Sequence, residues 1–254
     1  MREIVTASDV AAETERRAFE LQMRMLADSK FRRAATDDNP FVRLQRDELP
    51  IAEVQAVYLG MLESLWVFNR VLLSRVLAMA PSVEARAELL PVVSVEFGPP
   101  IENAHPEIFR RFLRKLGLTA EATAEPTSFD SVDAAREASA MRQMTWLELL
   151  ARLLVGETMG PKVFMPIAHA LQKSYGLTRE DVFYFYLHAQ HDRRDTEILF
   201  ALIGRYATSE RDREQVLRTM NRSYDEGRYR LYGCALKGAT EYQYAARVTR
   251  PAEV

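Results

Sequence analysis

Cysteine occurs once in 254 residues, at Cys234. An internal disulfide is thereby excluded and a thiolate-held structural zinc disfavoured, and the expected compartment is a reducing cytoplasm. Glycine and proline are scarce too, at 10 and 11, so few positions force a helix to stop. Neither sign of charge dominates: 34 Lys and Arg face 36 Asp and Glu. No basic footprint for nucleic acid or an anionic membrane is present. Clean apolar runs are missing as well. Leu149–Leu171 is interrupted by Arg152, Glu157, Lys162 and His169, which argues against a membrane span. Met1–Ser29 carries Glu and Arg throughout and lacks the apolar core of a secretory signal.

What the chain does have is helix formers. Hydrophobic residues make up 48% of it, enough for a sizeable core, and Ala, Leu, Glu, Arg and Met are plentiful. Periodicity predicts a first helix from Ser8 to about Ala27, broken by Asp37-Asp38-Asn39-Pro40, then a short segment Phe41–Arg46. A long helix follows Pro50 and runs to about Met79, with Val54, Val57, Tyr58, Met61, Leu65, Phe68, Leu72 and Val76 at helical spacing. Ser82 to about Val95 is helical with a kink or break at Pro91. Glu96-Phe97-Gly98-Pro99-Pro100 must break it. Pro106–Leu116 is a compact amphipathic helix, and Thr119–Ser131 is a loop. Asp133–Gly156 reads as one helix, Glu157–Pro161 as an irregularity, and Lys162–Tyr175 as a helix that Gly176 closes. Thr178 opens the next helix, to about Tyr206, and the last spans Ser209 to about Lys237. The expectation is an all-α, single-domain bundle of about seven helices, its core over residues 39–237 and residues 238–254 a tail.

The stretch Tyr184–Asp195 carries the chemistry. At about 100° per residue, Asp192 stands roughly 40° from His188 on the helix, Asp195 about 20° to the other side and His191 about 60° off. Two imidazoles and two carboxylates thus crowd one stripe of an aromatic helix. Either the stripe binds a metal or it is a solvated face. Elsewhere, Glu63, Glu96, Glu102 and Glu157 lie in apolar or irregular surroundings, and His105 and His169 complete the four histidines. Helical bundles hold metal pairs by aiming Glu and His inward, and such N/O donors suit iron or manganese. The bland readings stand beside this: His188 and Asp192 as a surface i,i+4 pair, Glu157 as a turn residue, His105 as a cap, His169 as a partly buried core histidine.

Several segments together resemble the heme-oxygenase-like diiron oxidases. They are Glu157-Thr-Met-Gly-Pro161, Lys173-Ser-Tyr-Gly-Leu177, Phe185-Tyr-Leu-His188-x3-Asp192, Asn39-Pro40-Phe41-Val42, and Glu96-x-Gly98 followed by His105-Pro106-Glu107. The superfamily also includes thiaminase-like and pyrroloquinoline-quinone-synthase-like members. The resemblance implies Glu96 and His105 as a first pair of iron ligands, Glu157 as a central carboxylate, and His188 and Asp192 as ligands from a third helix. Glu63 matches an extra carboxylate of some members, and Glu102 rivals Glu96 because some use a Glu-x-x-His spacing. One position departs: Asp195 stands where the family has its last histidine, with His191 as an alternate.

The resemblance further implies two iron ions, with manganese as the other candidate metal, and O2 as co-substrate, with an external electron donor. The substrate expected is a small amino-acid-derived or other carboxylate-bearing molecule, undergoing N-oxygenation, desaturation or oxidative C–C cleavage. Trp66, Phe68, Tyr184 and Phe185 are candidate pocket walls, and Lys162 and Arg194 candidate carboxylate holders. The rival readings are a one-metal or metal-free enzyme of the same fold, or a helical interaction protein whose Leu149–Leu171 and last helix meet a partner or a second copy. Thiaminase-like chemistry would want a nucleophilic cysteine, and Cys234 lies far downstream.

Overall fold

The computed structural model describes residues 7–34, 44, 49–98, 100–126, 132–158 and 160–236, some of them by backbone alone (among these Pro161, Lys162 and 226–236). The expected segment at Asn39–Val42 and the tail at 238–254 lie outside the described residues. Among the described residues there are nine helices and no strands. They are α1 (Ala7–Ala34), α2 (Ile51–Ala78), α3 (Val83–Phe97), α4 (His105–Lys115), α5 (Val132–Gln143), α6 (Trp146–Glu157), α7 (Met165–Tyr175), α8 (Phe183–Tyr206) and α9 (Glu210–Leu236).

The all-α reading is correct, but the count differs from about seven for local reasons. Asp133–Gly156 is two helices, because Thr145 caps a new start. Its hydroxyl accepts from the Glu148 N–H at 3.3 Å, and the Glu148 carboxylate accepts from the Thr145 N–H at 2.8 Å. This reciprocal capping box is written in the sequence as Thr-x-x-Glu. α1 also runs past Ala27, to Ala34. Conversely, Pro91 does not break α3, which continues to Phe97. The carbonyl that loses its partner belongs to Ala87, which is exposed and can turn to water. Gly176 closes α7 in the left-handed region, at φ 66°, as its position predicts.

Among the described residues, the helix long and apolar enough to cross a membrane is α2, not the Leu149–Leu171 run, which a π-helical turn at Gly160–Phe164 divides. In α2, 61% of the most apolar window is buried inside the fold, as in the core helix of a bundle. A second π-helical turn, Phe68–Leu73, lies within α2 itself.

Two apolar clusters fill the interior. One gathers the first half of α2 with α4, α7 and the start of α8, including Tyr58, Phe109, Phe112, Ile167, Leu171 and Phe185. The other gathers α1, the second half of α2, α3, α5, α6, the end of α8 and α9, including Leu72, Leu89, Leu149, Leu153, Leu202 and Met220. Each fully buried Leu or Phe contributes about 1.5–3 kcal/mol of transfer free energy. α8 passes through both clusters. Phe185 is in the first and Leu199 in the second, and the polar stripe lies between them.

Candidate metal centre

The site is built where four helices meet, and each polar residue is delivered by a local device. Glu96, in the last turn of α3, is 3% exposed, and Gly98 then turns the chain at φ 48°. A Cβ on Gly98 would stand 2.2 Å from the Ala104 nitrogen and 2.4 Å from the Asn103 carbonyl carbon. Only glycine allows that approach, and it folds the start of α4 back onto the end of α3. His105 is the first residue of α4 and is 2% exposed; Ala104, not His105, holds the cap position. The short Ile101–Asn103 turn carries Glu102 outward into solvent, so Glu96 is the carboxylate that meets His105.

α8 supplies the opposite wall. Tyr184, Phe185, His188, Asp192, Asp195 and Leu199 are all buried, at helical spacing down one side. His191, the alternate, is exposed because its direction carries it to the solvent side with Arg193 and Arg194. Glu157 arrives from the end of α6 and is 5% exposed. Glu96, His105, Glu157, His188, Asp192 and Asp195 are therefore all buried.

Their atoms form two overlapping triads: Glu96, His105 and His188, and Glu157, His188 and Asp192. Within each triad one donor atom per residue lies within 4.8 Å of the others. A first-row divalent ion with bonds of about 2.0–2.2 Å would hold its ligand atoms within about 4.4 Å of each other, so little closing of either triad is needed. Several of the donor atoms lack hydrogen-bond partners of their own. His105 Nδ1 is 2.6 Å from Glu96 Oε1, yet neither that nitrogen nor Glu96 Oε2 has an aligned hydrogen-bond partner. His188 Nδ1 lies 2.9 Å from Asp192 Oδ1 in hydrogen-bonding geometry, while its Nε2 is buried without a partner. Unpaired polar atoms in a dry interior cost about 1–3 kcal/mol each, and a bound cation would remove that cost.

The electrostatics agree. Burial pushes the Glu157 carboxyl well above the ordinary range, with Asp192, Glu96 and Asp195 adding to it. Burial and Glu96 lift Asp192 to about 8, and burial and Asp192 lift Asp195 to about 6. His188 is held neutral, down to about 3, first by burial and then by its neighbour His105. Burial opposes charge on His105, but Glu96 outweighs it and raises the imidazole. Four carboxylates around two imidazoles leave excess negative charge that either protons or a metal cation must neutralise. The donor set, oxygen-rich with two imidazoles, suits iron or manganese.

Aromatic rings seal the histidines. The Tyr184 ring lies tilted 4.4 Å from the His188 ring, His105 lies 4.4 Å from His188, and Phe164 lies 5.5 Å from it. Phe109 packs 4.7 Å from Tyr184. Tyr184 is thus beside the centre, as its place on the stripe suggests. Phe109, one turn after His105, and Phe164 are not among the pocket walls that the sequence suggests. The remaining candidates are placed less closely. Glu63 is half-buried on α2 and belongs to neither triad. Trp66 is buried with its indole N–H unpaired. Phe68 is half-buried, and Arg194 is exposed. The side chain of Lys162 lies outside the described residues. His169 is exposed on α7, its ring 6.2 Å from that of Tyr186, and is no core histidine.

A family model described as iron-containing redox enzyme matches residues 66–228, which take in every member of both triads. The chain belongs to that family. Among solved structures, it is similar to a domain of unknown function with a heme oxygenase-like fold from Shewanella denitrificans OS217. The TM-score is 0.66 at 16% identity, over 92% of this chain and 97% of that one. It is also similar to a TenA homologue from P. horikoshii OT3, with TM-score 0.63 and 16% identity over 87% of this chain and 99% of that one. At such identities the likeness establishes the heme oxygenase-like fold. Comparison with curated proteins gives no match.

Proposed function

We propose that the chain is an O2-dependent non-heme iron oxidase or oxygenase with room for two metal ions. Its substrate is a small amino-acid-derived or other carboxylate-bearing metabolite, and the reaction is an N-oxygenation, a desaturation or an oxidative C–C cleavage. The observation that carries this reading is the pair of buried triads with unpaired donor atoms, within a chain of the iron-containing redox enzyme family.

Glu96, His105 and His188 would hold one ion, and Glu157 and Asp192, with Asp195 beside them, the other. Iron bound there supplies the one-electron chemistry that O2 activation needs and that no side chain can supply. The rest falls to the protein. With its carboxylate ionised by a bound cation, Asp192 would accept the His188 Nδ1–H and leave Nε2 to face the centre. Glu157, whose carboxyl favours its proton, gives it up when a cation arrives. Tyr184, Phe109 and Phe164 exclude water from the imidazoles. An external electron donor completes the proposal.

One observation favours a second reading with a single ion: His188 is common to both triads. Each imidazole nitrogen binds one ion, and Nδ1 is engaged with Asp192. The test is anaerobic reconstitution with Fe(II), a count of bound iron, and O2 uptake measured against a panel of amino acids and carboxylic acids. Two irons and substrate-stimulated O2 uptake support the main reading. One iron supports the second, and no binding at micromolar Fe(II) rejects both.

A further inference from the structure

Among the described glycines, Gly98, Gly117 and Gly176 have positive φ, and their conformation accounts for them. Gly160 does not. Its backbone would accept any residue, so glycine is not there for its φ. The reason is space. A Cβ built on Gly160 would stand 1.8 Å from Asp192 Oδ2, 2.6 Å from Asp192 Cγ and 2.9 Å from the His188 carbonyl oxygen. These are two of the three members of one triad, and the third, Glu157, is three residues before Gly160 in the same turn. At Gly204 a Cβ would also crowd a carboxylate, 2.7 Å from Glu20 Oε1, but Glu20 belongs to neither triad; at Gly156 a Cβ would meet only the Phe68 ring, at an ordinary 3.7 Å.

We propose that Gly160 is a positioning residue for Asp192, its missing side chain being the space that the metal-facing carboxylate occupies. The inference rests on the metal-centre reading above. The two oxygens of Asp192 are set from two directions. Oδ1 is hydrogen-bonded to His188 Nδ1 at 2.9 Å, and Oδ2 lies against the Gly160 backbone. A methyl at residue 160 must either rotate the carboxylate, breaking its alignment with His188, or push α8 away from the π-helical turn and separate Asp192 from Glu157. Both routes open the Glu157–His188–Asp192 triad, while the Glu96–His105 pair, carried on other helices, keeps its own contact. The selectivity distinguishes a positioning role from general packing.

The test uses Gly160→Ala in the full chain, with Gly156→Ala as the control. Anaerobic Co(II) titration, followed by its visible ligand-field absorption, reports affinity and geometry without turnover. Gly160→Ala is expected to weaken Co(II) binding at least tenfold or remove one equivalent and change the spectrum, while Gly156→Ala stays within about twofold of the parent. A parent-like affinity and spectrum for folded Gly160→Ala overturns the proposal. A second measurement needs no metal: the thermal stability of the metal-free protein in the cycle Gly160→Ala, Asp192→Ala and both. If the methyl collides with the carboxylate, Gly160→Ala lowers the melting temperature much less in the Asp192→Ala background, and a Gly160→Ala protein that fails to fold is rescued by it. An equal penalty in both backgrounds, or no rescue, overturns it. Failure of the parent chain to bind Co(II) or Fe(II) would count against the metal reading, and the cycle would still decide the place of Gly160.

Discussion

His105 Nδ1 and Glu96 Oε1 lie 2.6 Å apart without the alignment of a hydrogen bond, and the second Glu96 oxygen is buried with no partner. A buried pair that closes no aligned hydrogen bond leaves donor atoms available to a cation. Glu96→Gln, nearly identical in shape, is therefore expected to fold like the parent. It should lose at least tenfold in Fe(II) affinity, measured by anaerobic titration. An unchanged affinity would show that the pair is a structural one.

Acidity should govern the metal-free protein in a direction opposite to that of most proteins. The folded state raises Asp192 to about 8 and Asp195 to about 6, from 3.8. A raised carboxyl stabilises the native state fully below its unfolded pKa, and the contribution is lost as pH climbs through the folded one. The raised His105 acts in the same sense. His188, lowered to about 3, works oppositely, its contribution being lost as pH falls from about 6.5. The melting temperature of the metal-free chain should thus fall between about pH 6.5 and 8.5, and saturating Mn(II) should flatten or reverse the slope. A metal-free melting temperature that rises across this interval contradicts the protonated cluster.

Gly98 offers a backbone test. Its φ of 48° and the backbone of Ala104, which a Cβ there would meet at 2.2 Å, leave no space for a methyl group. Gly98→Ala should cost about 1–3 kcal/mol in denaturant unfolding and weaken metal binding as well, because it separates Glu96 from His105. A loss of stability with intact metal affinity would uncouple the turn from the site.

Asp195 is buried one turn beyond Asp192 but belongs to neither triad. Replacing it with histidine lengthens the reach and removes one negative charge from a crowded carboxylate cluster. Asp195→His is expected to raise the number of irons bound, or to tighten the weaker one tenfold, by metal analysis after gel filtration. Weaker binding would mean that the Asp195 carboxylate is itself a needed ligand.

Much of the fold was legible because the helices are amphipathic over many turns. The stripe His188, Asp192 and Asp195 followed from 3.6-residue periodicity alone. The split at Thr145 was legible too, as Thr-x-x-Glu, but the long helical pattern around it concealed the break. Whether Glu96 or Glu102 faces His105 was not legible, since both flank the same Gly-Pro segment. The sense of the Gly98 turn decides it. Nor does local spacing bring Glu96 to Asp192, which belong to different helices and meet only when those helices pack. The resemblance to diiron oxidases supplied that convergence, and the structure brings the same five residues together.

The placement of the site between two apolar clusters bears on how the molecule opens. Tyr184 and Phe185 anchor α8 in one cluster, Leu199 and Phe200 in the other, and the layer between them is polar and short of partners. Without metal, the two clusters are expected to unfold as separate cooperative units across that layer. Bound cations would stitch α3, α4, α6 and α8 across it. Amide exchange in the metal-free chain should accordingly distinguish the amides of α4 and α7 from those of α6 and α9, and metal should merge them into one protected unit.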